Sequence, residues 1–271
     1  AVSKLGDGAM RITEDLSGAI GKLDITAGLL ELVGDATVAG GSGFTEQTFT
    51  DFANDPGEFF TANTYSSETV QGMGYIQISD GAALNLNGRE LARTLFIEGS
   101  GMSNSGVVYN SDTDNAGTLS GNVFIGRGDL TLTYGMGGSY TDEVVATESL
   151  TLDATGDLIV DDIKCGIYVR CVDGTNYFEV TKTGEGTLTL NTDKDATVAA
   201  ATAGDYAPYA FDVNATNGTL KFGTSNAAVN VIVSGDAQLD LAGVNFNSGS
   251  LELNSNNTDG ALLNSASTRS V

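Results

Sequence analysis

A five-residue pattern, Gly, a polar residue, then apolar-x-apolar, recurs along this chain and constrains its fold more than any other feature. It reads Gly128-Asp129-Leu130-Thr131-Leu132, Gly156-Asp157-Leu158-Ile159-Val160, Gly186-Thr187-Leu188-Thr189-Leu190, Gly218-Thr219-Leu220-Lys221-Phe222 and Gly249-Ser250-Leu251-Glu252-Leu253. Successive copies are 28, 30, 32 and 31 residues apart. Two further columns lie between them. Ile167-Tyr168-Val169, the neighbourhood of Val198 and Val229-Asn230-Val231 form one, and Tyr177 to Val180, Tyr209 to Phe211 and Leu239 to Leu241 form the other. Each segment alternates apolar and polar residues with period two, which buries one face of a strand and wets the other. A sandwich has no reason to keep such a period, whereas a solenoid stacks equivalent residues at the inter-strand spacing. The expected fold is therefore all-β, a parallel β-helix with three short strands per coil and about 30 residues per coil. Leu130, Leu158, Leu188, Leu220 and Leu251 should then point inward in one column.

Toward the N-terminus the period weakens. Gly21-Lys22-Leu23-Asp24-Ile25 and Gly74-Tyr75-Ile76-Gln77-Ile78 keep the pattern, but residues 40–70 carry Phe44, Phe49, Phe52, Phe59 and Phe60 around the turn Asp55-Pro56-Gly57. We read 1–74 as N-terminal coils with a Phe-rich excursion at about 40–70, and 75–271 as the repetitive β-helix body, continuous with it. The excursion either contacts a ligand or neighbour, or folds onto the flank of the stack.

Composition narrows the functions. The chain has no His, which excludes His-based triads, His general bases and His-ligated zinc. With 12 Lys and Arg against 35 Asp and Glu, its formal charge of −23 disfavours nucleic acid and anionic membrane surfaces as partners. No apolar run approaches the roughly 20 residues of a spanning helix, so no membrane insertion by this segment is expected. The chain starts at Ala1 without an apolar leader, so an export signal would already have been removed.

Lys182-Thr183-Gly184-Glu185-Gly186-Thr187-Leu188-Thr189-Leu190 resembles the core of the autotransporter-associated β-strand repeat. Gly81 to Gly88, Leu95 to Gly101 and Ser120 to Ile125 are similar in style, and Gly260-Ala261-Leu262-Leu263-Asn264-Ser265 reads like the opening of another unit. The resemblance covers residues 75–271. It implies that the β-helix is right-handed and that the chain is a secreted bacterial passenger at the cell surface, extracellular, working by adhesion, shielding or scaffolding, with no common catalytic residues to transfer. The sequence departs from that pattern in showing no translocator barrel and in stopping inside what looks like a repeat, so it is expected to be either a fragment of a longer passenger or part of a protein anchored differently.

The expected function is thus an exported cell-surface structural or adhesive β-solenoid, in its sharpest form a subunit of a self-assembling filament or sheath. Its partners would be copies of itself, end to end, or other surface components. In the end-to-end form the last coil would pair with a first coil near residues 21–38. The alternative is a polysaccharide-active lyase or hydrolase built on a β-helix, for which Asp161-Asp162, Asp142-Glu143 and Asp193 with Asp195 are the dense carboxylate groups. Adjacent acids are expected by chance in so acidic a chain, so the reading is of a non-enzyme with no catalytic residues.

No cofactor is expected. Asn110-Ser111-Asp112-Thr113-Asp114 and Asn191-Thr192-Asp193-Lys194-Asp195 place oxygens at alternate positions, as calcium loops do, but neither has the Gly and Glu that complete such a loop. Three glycosylation sequons begin at Asn214, Asn217 and Asn256 and are treated as unused. Cys165 and Cys171 could form a mutual disulfide if the segment between them folds back, be two separate buried thiols, or bond between molecules. A straight strand between them would hold them too far apart to join.

Overall fold

The computed structural model describes residues 2–13, 23–34, 38–39, 75–126, 150–165, 178–191, 211–224, 230–244 and 250–266. Within them the regular secondary structure is almost wholly strand. The first ten strands are β1 (Val2–Lys4), β2 (Ala9–Ile12), β3 (Leu23–Ile25), β4 (Gly28–Leu32), β5 (Val38–Ala39), β6 (Ile76–Ile78), β7 (Ala82–Asn85), β8 (Glu90–Ala92), β9 (Leu95–Ile97) and β10 (Val108–Tyr109). Then come β11 (Gly117–Ile125), β12 (Leu150–Asp153), β13 (Leu158–Cys165), β14 (Phe178–Thr183), β15 (Thr187–Leu190), β16 (Phe211–Ala215), β17 (Thr219–Phe222), β18 (Asn230–Gly235), β19 (Gln238–Asp240), β20 (Leu251–Ser255) and β21 (Leu262–Leu263).

These strands form two sheets in which every pairing is parallel. One sheet has nine strands in the order β2-β4-β7-β10-β12-β14-β16-β18-β20. The other has twelve, running β1-β3-β6-β9-β11-β13-β15-β17-β19-β21, with β8 beside β11 and β5 beside β8. The chain passes from one sheet to the other and back, and the inward residues of both meet in a single hydrophobic core. Period-two alternation dictates which side chains enter it. In β16, Phe211, Val213 and Ala215 are buried while Asp212 and Asn214 are not.

Register turns this alternation into columns. Leu158 pairs with Leu188, Leu188 with Leu220, Leu220 with Leu239 and Leu239 with Leu262. The first four are fully buried. Two steps of this column are 30 and 32 residues, but the next, from Leu220 to Leu239, is only 19. That short return corrects the sequence reading. Leu251 does not join the column but sits in the other sheet opposite Val231, and it is 39% exposed. Val231 and Phe211, assigned above to separate columns, lie in adjacent strands of the nine-stranded sheet, where Asp212 pairs with Asn230 and Val213 with Val231; Tyr209 and Val229 lie outside the described residues. A parallel stack needs only its strands aligned, so the connections between them are free to vary in length. Leu130 lies outside the described residues.

A mutation contrast follows from the correction. Leu220→Ala should cost about 2 to 3 kcal/mol, as deletion of a buried leucine does, and Leu251→Ala less than about 1. The shift in urea midpoint measures both, and equal shifts would restore the single leucine column.

The long strands β11 and β13 hold the twelve-stranded sheet together. The first part of β11 pairs with β8 (Leu119 opposite Leu91) and its last part with β9 (Ile125 opposite Ile97). Against β13 its register shifts between Leu119 and Asn122. β15 meets only the first part of β13, at Leu158 to Val160. The N-terminal residues are continuous with the rest, since β3 pairs directly with β6. The Phe-rich residues 40–70 lie outside the described residues.

Candidate functional site

The most elaborate polar site is a lysine inside the core column. Leu84, Val108 and Leu152 stack in register in the nine-stranded sheet, and the next position, opposite Leu152, is Lys182. Ala215 and Val233 continue the column. Lys182 is fully buried. Its place near the end of β14 lets the ammonium reach the turn toward β15. There Nζ donates to the carbonyls of Thr183 (3.1 Å), Gly184 (2.5 Å) and, on the next turn of chain, Asn217 (2.6 Å). Burial pushes its pKa down to about 8, against the upward pull of Asp153 and Asp157.

The same construction appears at the start of the chain. Lys4, at an inward position opposite buried Ile25, donates to Gly6 O (2.5 Å) and Ala27 O (2.8 Å). In both turns a threonine one strand later donates its N–H and its hydroxyl to the lysine carbonyl. Thr26 does so to Lys4 at 3.1 Å for both bonds, and Thr216 to Lys182 at 3.0 Å for both. Lys4-x-Gly6-x-Gly8 and Lys182-x-Gly184-x-Gly186 are thus two copies of one device. A third glycine packs on each, Gly28 on the first and Gly218 on the second, both at positive φ. The matching Lys-x-Gly-acid-Gly spacing was the signal in the sequence. Its meaning, a cation tying two successive turns together, was not legible there.

In the calcium candidate at Asn110 to Asp114, Asn110 turns inward while Ser111, Thr113 and Asp114 are exposed. Asn110 is fully buried, accepts from the Gly88 N–H at 2.7 Å, and donates Nδ2 to the carbonyls of Asp112 (3.0 Å), Asn115 (2.8 Å) and Asp157 (2.8 Å). It joins three turns. Asp112 accepts from the Asn115 amide and from the Asp114 and Asn115 N–H groups, which hold its carboxyl below the usual range. Asp112 Oδ1 thus takes two backbone donors and Oδ2 a side-chain amide, all from its own turn. In the second candidate, Asn191 donates to Asp161 at 2.8 Å, and residues 192–195 lie outside the described set.

Among the remaining described carboxylates, Asp80 and Asp153 accept from turn residues, and others form rungs between strands. Asp212 accepts from Asn230 at 2.8 Å, and Glu31 pairs with Arg11 at 2.7 Å. Of the sequon asparagines, Asn214 accepts from Ser234 and donates to Glu179, and Asn217 Oδ1 accepts the Gly218 N–H. Asp142, Glu143, Asp193 and Asp195 lie outside the described residues. Cys165 ends β13 opposite Ile125, while Cys171 and the proposed pairing lie outside what is described. Among the described residues no three of His, Cys, Asp and Glu gather as a metal site, and no helix is long and apolar enough to cross a membrane.

One feature escaped the sequence reading altogether. On the face of the twelve-stranded sheet away from the core, Gln77, Phe96 and Phe124 stack in register and are 1 to 2% exposed. Phe96 meets Tyr75 edge-on at 5.1 Å and stacks on Phe124 at 5.0 Å. Period-two alternation places these residues outward and so gives no hint of their burial.

Fold and site together define an all-β protein of parallel sheets in which buried Lys182 and Asn110 serve the turns between strands. No family model matches the chain, and no curated protein or solved structure matches it.

Proposed function

We propose that this chain is an exported structural or adhesive β-solenoid of a bacterial cell surface, with copies of itself or other surface components as partners. The solenoid reading is supported by the register of β11 and β13. Their shift between Leu119 and Asn122 divides the twelve-stranded sheet into two faces. β5, β8, the first parts of β11 and β13, β15, β17, β19 and β21 follow one face, and β1, β3, β6, β9 and the last parts of β11 and β13 the other. The nine-stranded sheet is the third. Where all three are described, as through β7, β8 and β9, a coil has three strands. A right-handed sense follows from the strong preference of crossovers between parallel strands.

The observation that carries the functional reading is the use made of buried polar chemistry. Lys182, Lys4 and Asn110 each join turns to one another, and the Asn and acid rungs join strands. Such groups stiffen a stack. The acidic composition and the resemblance of residues 182–190 to the secreted repeat fit an extracellular setting. External protease and antibody labelling of intact cells making the protein test this. Cleavage and labelling without permeabilisation are expected, and labelling that requires permeabilised cells would overturn the proposal.

A further inference from the structure

An Asn-Gly pair is where a main chain most readily attacks its own side chain, because glycine puts no Cβ beside the attacking nitrogen. The sequence has two, Asn87-Gly88 and Asn217-Gly218. In each, a cation rests on the carbonyl of the asparagine: Arg89 Nη1 donates to Asn87 O, and Lys182 Nζ to Asn217 O at 2.6 Å. That carbonyl and the glycine nitrogen belong to one peptide group. When the nitrogen gives up its proton, the charge is shared with the oxygen, and a cation against the oxygen stabilises the anion. Lys182 does so from a fully buried position, where water screens it least.

The two pairs differ in where the glycine N–H points. Gly88 donates away from its own asparagine, to Asn110 Oδ1 at 2.7 Å, while Asn87 Nδ2 is committed to the Leu32 carbonyl at 3.2 Å. Gly218 donates to Oδ1 of Asn217 itself, at 2.8 Å. The attacking nitrogen is thus held against the amide it would attack, and contact set in advance is a strong advantage for an intramolecular reaction. The turn is packed so closely that an added Cβ on Gly218 would lie 2.5 Å from Gly184 O, so the stack itself keeps this contact. Asn217 is only half-buried, within reach of water.

From this geometry we propose that Asn217 is a self-modification site, converted in the folded protein to aspartate or isoaspartate through a cyclic imide with Gly218. The Gly218 nitrogen gives its proton to hydroxide and bonds to Asn217 Cγ. The Cγ–Nδ2 bond breaks, and Nδ2 takes a proton from water and leaves as ammonia. Water then opens the ring. Attack at Cγ restores the main chain with an aspartate, and attack at the main-chain carbonyl leaves an isoaspartate, whose chain runs through the former side chain. Overall one water is consumed and one ammonia released. The second product turns the carbonyl that accepts from Lys182 into a free carboxylate and lengthens the main chain by one methylene at that turn. The reaction therefore acts on the lysine cage, whatever the class of the stack around it.

Incubation of the purified chain at neutral pH over weeks, folded and in denaturant, followed by proteolysis and peptide mass spectrometry, tests the proposal. Each pair is read by the amide-to-acid mass gain of its own peptide, and isoaspartate by its fragmentation pattern. In the fold, the peptide with Asn217 should convert at least about tenfold faster than the peptide with Asn87. In denaturant, where neither arrangement survives, the two rates should agree. The denatured chain thus supplies the reference for local sequence, and no variant that might fail to fold is needed. An Asn217 amide that lasts as long as Asn87 in the fold overturns the proposal. So does a folded rate ratio equal to the ratio in denaturant, since the direction of the Gly218 N–H would then have no effect.

Discussion

Gly218→Ala should cost the fold about 4 to 5 kcal/mol, at the exceptional end for one added methyl group. The new Cβ would lie 2.5 Å from Gly184 O, 2.6 Å from Gly186 O and 2.6 Å from Lys182 Nζ. Backbone oxygens of the preceding turn cannot swing away, and the third atom is an ammonium held by three carbonyls. The φ of +63° adds a conformational cost of its own, about 1 to 2 kcal/mol for any residue with a Cβ. Gly28→Ala repeats the experiment on the Lys4 turn, where Gly6 O, Gly8 O and Lys4 Nζ would each be 2.5 Å away. Gly81 is the control. It has φ +77° but nothing within 4 Å of the added Cβ, so Gly81→Ala should show the conformational cost alone. Urea midpoints at unchanged slope measure all three, and equal losses at Gly81 and Gly218 would show that close approach between the turns does not matter.

Lys182→Met should cost about 3 to 4 kcal/mol at pH 7. Methionine fills the column but leaves the carbonyls of Thr183, Gly184 and Asn217 without the ammonium, and removing one partner of a buried charged network is far more damaging than replacing the whole network. The pH dependence has a definite sign. Lys182 has a folded pKa of about 8 and an ordinary value of 10.5, so between these values the unfolded chain holds more protons than the folded one. Stability from this group therefore rises as pH climbs from about 8 to 10.5, by up to about 3 kcal/mol. The gap between the native chain and Lys182→Met should widen over that range, since the variant lacks the group. Taking the difference cancels the tyrosines that titrate nearby. A gap that stays constant from pH 7 to 10.5 would mean that the ammonium keeps its ordinary pKa in the fold.

The resemblance of residues 182–190 to a secreted repeat and the turn chemistry meet at the same amino acids. A Lys-x-Gly-x-Gly segment is more than a composition bias. Its lysine occupies a core position, its first glycine offers a carbonyl to the ammonium, and the glycine of the following turn lies against both. The length of chain between stacked strands varies all the same, as the 19- and 32-residue steps show.

Alternation at Leu158, Leu188 and Leu220, with glycine and polar residues between strands, determined the all-β class, the inward faces and the parallel stacking of those three leucines. These are local properties, fixed by period-two geometry whatever lies beyond the strand. Spacing could not determine which segments pair once connections vary in length, so Leu251 and Leu239 exchanged places. Nor could it show that Asn110 and Lys182 lie inside, because each is buried only by partners tens of residues away: Gly88 and Asp157 for one, Asn217 for the other. A buried polar group is stable only where distant carbonyls and N–H groups converge on it, and that convergence was decided by the tertiary structure.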